Sequence, residues 1–87
     1  MIEDLIDPMM DNTYEYLKGN DLVSPLEKGL YSAFESMVVM SLANKLANQT
    51  SLVGDEKVTL RNQLQRYITN EYGTKIRDYF MSRLEKK

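Results

Sequence analysis

Apolar residues recur with helical spacing from the first turn of the chain. Ile2, Leu5, Ile6, Met9, Met10, Tyr14 and Leu17 fall at i, i+3, i+4, i+7 and i+8 and line one face. Pro8 interrupts the run. Asp7-Pro8 reads as an N-cap followed by the first helical residue, so the spacing predicts a helix over 8–18 preceded by a looser turn. Gly19 fits the left-handed position that ends helices.

A second helix is signalled by Ser24-Pro25-Leu26-Glu27, a capping box with proline in the first helical position. It is expected to run from 25 to about 48. Leu26, Leu30, Phe34, Met37, Val38, Leu42 and Leu46 share one face. Between 37 and 43, however, Met37, Val38, Val39, Met40, Leu42 and Ala43 encircle the helix. A helix that is apolar all round is buried all round, which predicts a central position with neighbours on most sides.

Residues 49–55 read as a loop, and a third helix begins near Glu56. Leu60, Leu64, Ile68, Tyr72, Ile76, Phe80 and Leu84 form an unbroken i, i+4 ladder. Each such step precesses about 40°, so six steps turn through roughly 240°, too much for one flat face. The expectation is a kink or break at Tyr72-Gly73-Thr74, where glycine would let the stripe re-phase. A continuous helix over 56–85 would span about 45 Å and protrude from a compact chain of this size. Strand signals are poor, and the fold class predicted is all-α: a small three- to four-helix bundle around the helix of 25–48, forming one domain over 1–87.

Composition narrows the chemistry. The chain has no Cys and no His, which excludes disulfides, thiolate catalysis, imidazole bases and the common zinc sites. The glycines are scattered singly and form no phosphate-cradling loop. Asp4, Asp7, Asp11 and Glu15 share helical spacing, but a solvated face opposite the apolar stripe explains them. No metal, cofactor or catalytic site is expected, and the chain is read as a non-enzyme. The acidic first turn is unlike a secretory signal, and the densest apolar run is far shorter than the ~20 residues of a membrane span. A cytoplasmic protein, or one assembled into a particle made there, is the expectation.

Charge is uneven along the chain. Residues 1–54 carry eight acids and three bases, net −5, whereas residues 55–87 carry five acids and eight bases, net +3. The basic third suggests either an acidic protein surface, including the N-terminal third of a second copy, or nucleic acid.

Two functional readings follow. The first is a protein-interaction or assembly protein that self-associates or docks on a protein partner through Val39, Met40, Tyr72, Ile76, Tyr79, Phe80 and Leu84. Six Tyr and six Met in so short a chain favour it, because these residue types are enriched at interfaces. So does size: a chain of this length without disulfide staples buries little surface alone, which predicts a homo-oligomer. The second is a small helical nucleic-acid-binding regulator using Lys57, Arg61, Arg66, Lys75 and Arg77. Short, motif-poor helical chains of this style are common among bacteriophage proteins, both virion components and host-takeover factors. No motif carries that likeness to a particular family.

Overall fold

A computed structural model describes residues 2–20 and 31–85, apart from the side chains of 31, 84 and 85. Three helices follow in order: α1 (Ile2–Gly19), α2 (Tyr31–Asn48) and α3 (Asp55–Glu85). The all-α expectation holds: the described residues contain no strand. The Ser24 capping box and the start of the second helix at 25 lie outside the described residues.

α1 begins six residues before the expected start and runs through Pro8. Proline lacks the N–H that would bond the Asp4 carbonyl and costs about 3 kcal/mol in a helix interior. Asp4 and Pro8 are both exposed, so water reaches the freed carbonyl, while buried Ile6 and Met10 anchor the helix on either side. Packing therefore outweighs the break signal. Gly19 is also not the left-handed terminator expected; it is the last helical residue. Asn20 closes the helix instead, its side-chain amide donating to the Tyr16 carbonyl at 2.7 Å. Positive φ occurs among the described glycines at Gly54 alone (φ 63°), where the chain turns into α3 and the Gly54 carbonyl accepts from the Val58 N–H at 3.2 Å.

The core is one cluster contributed by all three helices. Ile6, Met10, Tyr14 and Leu17 of α1 meet Phe34, Val38, Val39, Leu42 and Ala43 of α2 and Ile68, Ile76 and Phe80 of α3. α2 is the central element, as expected, but it is not buried all round. Met40 is 51% exposed, and Ser36, Ser41, Asn44 and Lys45 are exposed with it. The apolar girdle read from the sequence is open on one side because, among the described residues, only α1 and α3 pack on α2.

Side-chain pairs fix the directions of the helices. Asp7 pairs with Lys75 at 3.3 Å and Asp11 with Arg83 at 3.4 Å, so α1 runs parallel to the C-terminal part of α3. Glu35 pairs with Arg77, while Asn48 lies beside Lys57 and Arg61, so α2 runs antiparallel to α3. α3 has 31 residues against 18 in each of the others. It spans about 46 Å. Its ion pairs, hydrogen bonds and ring contacts with α1 all lie at 75–83, which leaves its N-terminal half packed on α2. The long axis is 42 Å, and the radius of gyration of 13.6 Å exceeds the roughly 12 Å of a compact chain this long.

α3 is helical without interruption through Gly73, which corrects the expected break. Gly73 instead faces a side chain of α2. A Cβ at 73 would stand 2.5 Å from Glu35 Oε2, so the missing side chain makes room for a carboxylate of α2. That carboxylate accepts from Arg77 Nη1 through both oxygens, at 3.1 and 3.2 Å. The ladder re-phases without a break because its members meet different surroundings. Ile68, Ile76 and Phe80 enter the shared core, whereas Leu60 lies outside it.

Gly73→Ala is accordingly expected to raise the urea midpoint. The gain in helix propensity, about 1 kcal/mol, outweighs a small shift of the Glu35 carboxylate, the flexible end of a side chain paired with a partly exposed arginine. In a Glu35→Ala background the same change should raise the midpoint further. The difference between the two increments in this double-mutant cycle measures the cost of moving Glu35.

Candidate interaction surface

Part of the charge asymmetry of the sequence is used within the molecule, in three ion pairs among the described residues. Asp11 accepts from the Tyr79 hydroxyl and from Arg83 Nη2, and Arg83 lies 4.8 Å from the centre of the Tyr79 ring. Asp7–Lys75 and Glu35–Arg77 complete the set. The acidic and basic thirds thus meet within one chain, where docking of α1 on α3 aligns them. Among the described residues no group of three carboxylates is placed to hold a metal ion, and no helix is long and apolar enough to cross a membrane.

Burial and the hydrogen bond to Asp11 push the Tyr79 phenol up to about 12. The sign follows directly. The folded chain holds this proton more tightly than the unfolded one, so stability is complete below the ordinary value of 10 and declines as pH rises toward 12. Tyr79→Phe is expected to flatten that decline in denaturation midpoints measured across the alkaline range.

The residues expected to form a contact surface separate into two groups. Ile76 and Phe80 are fully buried in the chain's own core, and Val39 is 4% exposed. Tyr72 and Tyr79 are half-buried against that core. The side chain of Leu84 lies outside the described residues. Met40 remains open, at the mouth of a groove of about 370 Å³ between α2 and α3 lined by Glu35, Ser36, Val39, Met40, Gln65, Arg66, Thr69 and Asn70. The interface candidates Val39 and Met40 thus stand beside Arg66, a candidate of the nucleic-acid reading.

Of the five bases in that second reading, Lys75 and Arg77 are held by carboxylates of α1 and α2. Lys57 and Arg61 line a second recess with Asn44, Ala47, Asn48 and Val58. Helical spacing joins the two recesses: Ser36, Met40, Asn44 and Asn48 repeat every four residues on α2, as Arg61, Gln65 and Thr69 do on α3. They are successive stretches of one seam. Arg61 Nε is buried there with no hydrogen-bond partner.

A different apolar surface was not apparent in the sequence. At the end of the molecule away from α1, Leu52 and Leu60 line a shallow recess with Asp55, Glu56, Thr59 and Gln63. Beside it Val53 is 74% exposed, and Leu46 and Leu64 are half-buried. The available signal was Leu52-Val53, an apolar pair inside a segment otherwise read as loop. No family model matches the chain, and no curated protein or solved structure is significantly similar to it.

Proposed function

We propose that this chain is a non-catalytic assembly protein that self-associates through the tip of the α2/α3 hairpin. The observation that carries this reading is the overhang of α3 beyond α1. It leaves Leu52, Val53 and Leu60 at an end where, among the described residues, two helices lack the third that completes the core elsewhere. A two-fold arrangement suits the local charges. Asp55 and Glu56 of one copy would approach Lys45 and Lys57 of the other, and a self-complementary surface repeats that pairing on both sides of the axis. The nucleic-acid reading has weaker support, because Lys57, Arg61 and Arg66 alone offer few phosphate contacts and the net charge is −2.

The test is molar mass in solution across a concentration series. Masses rising above the 10.1 kDa of one chain support the reading, together with a melting temperature that increases with protein concentration. Val53→Asp combined with Leu60→Glu should restore the single-chain mass with helicity retained. A wild-type mass of one chain at high concentration, with a concentration-independent melt, overturns it.

A further inference from the structure

The seam between α2 and α3 has a chemistry of its own, separate from the tip. Its floor is Val39 and its rim carries exposed Met40. Along α3 it presents Arg61, Gln65, Arg66, Thr69 and Asn70, and along α2 Ser36, Asn44 and Asn48. The one carboxylate lining either recess, Glu35, is already neutralised by Arg77. Arg66 is exposed with no carboxylate in ion-pair range among the described residues, and Arg61 keeps a buried N–H unmatched. The terminal N–H groups of Arg61 have no hydrogen-bond partner among the described residues, and an incoming carboxylate would supply a charge-assisted one.

We infer that this seam is a docking groove for an acidic amphipathic helix of a protein partner, whose carboxylates engage Arg61 and Arg66 around an apolar residue seated on Val39 and Met40. The spacing is compatible: Arg61 and Arg66 are separated by about 7.5 Å along the α3 axis, close to the roughly 6–7.5 Å rise between acids four or five residues apart on a partner helix. Methionine and arginine around an apolar floor, with amides at the rim, is the composition of protein interfaces. A nucleic acid fits less well. Two free arginines and a neighbouring lysine supply little of the phosphate neutralisation such binding requires, and Met40 and Val39 give a phosphate backbone nothing to contact.

A helix-scaffold peptide library, displayed on phage and selected on the full chain, tests this. Enriched sequences should carry two Asp or Glu residues four or five apart, bracketing a Leu, Ile, Phe or Met. The best of them, synthesised, should lose about tenfold in affinity against Arg66→Glu and similarly against Met40→Glu. Both residues are exposed, so these variants should keep the wild-type circular dichroism. Arg61→Gln should weaken the same peptide. The tip variant Leu60→Glu should bind it unchanged, which separates this groove from the self-association surface. Enrichment of sequences without acids, no enrichment, or a peptide indifferent to Arg66→Glu overturns the inference. So does a short single-stranded oligonucleotide that binds more tightly than the selected peptide and is lost on Arg66→Glu, an outcome that assigns the groove to nucleic acid.

Discussion

Val38→Asp is expected to yield a chain with no cooperative melting transition. Val38 has no exposed surface and sits in the cluster shared by all three helices. A carboxylate there has no cation within the cluster to pair with. Leaving a charge unpaired in such surroundings costs several kcal/mol, and the packing of the valine is lost besides. The total stability of an 87-residue chain is about 4–13 kcal/mol, so one such substitution removes most or all of it. Circular dichroism with a thermal scan reads the effect. Lowering the pH until the new carboxyl is neutral should restore part of the helical signal, because a protonated acid is far cheaper to bury. A cooperative melt at neutral pH near that of the parent chain would show that Val38 is not central to the core.

Phe80→Ala should lower stability by about 3–5 kcal/mol, the range for removing a buried ring. The Phe80 ring is fully buried and stacks on Phe34 at 4.9 Å between centres, with the Tyr14 ring edge-on to it at 6.1 Å. These three rings come from three different helices, so the loss falls on the point where α1, α2 and α3 converge. Phe34 also stacks on Tyr79, whose hydroxyl donates to Asp11. Truncation at 80 should therefore loosen α1 first, seen as faster amide exchange in residues 2–19 than in 55–68. Phe80→Leu, which keeps most of the volume, should cost well under half as much. Urea midpoints with an unchanged dependence on denaturant measure both. Equal losses for the two variants would mean that the ring geometry, not the filled volume, supplies the stability.

The loop after α2 was legible because it depends on short-range chemistry. Its polar residues and Gly54 lack a periodic face, and Thr50 supplies a local cap to the Ala47 carbonyl at 2.7 Å. The core members Ile6, Val38, Leu42 and Ile68 were legible for a related reason: helical periodicity already assigns them to the inward stripes. The signals that misled are those whose local meaning was overridden from a distance. Pro8 and Gly73 both read as interruptions. Ile6 and Met10 hold the helix across the proline, and at the glycine α3 continues past the Glu35 carboxylate, about one turn from the Tyr31 end of α2.

Surface assignment was the least legible part. Ile76, Phe80, Val39 and Met40 look alike in a sequence, each apolar and each in a helix. Whether a given one faces the core or a partner depends on how far α1 reaches along α3, and that is a property of packing. The same holds for the charges. An acidic first half and a basic last third are visible in the composition, but their use was settled by the parallel docking of α1 on α3, which sets Asp7 against Lys75 and Asp11 against Arg83. Helical content and the buried stripes of this protein are thus determined by its sequence, through periodicities that act within a few turns. Which bases remain free, which apolar residues remain open, and what Gly73 stands against were decided only by tertiary structure, because each depends on contacts between residues far apart along the chain.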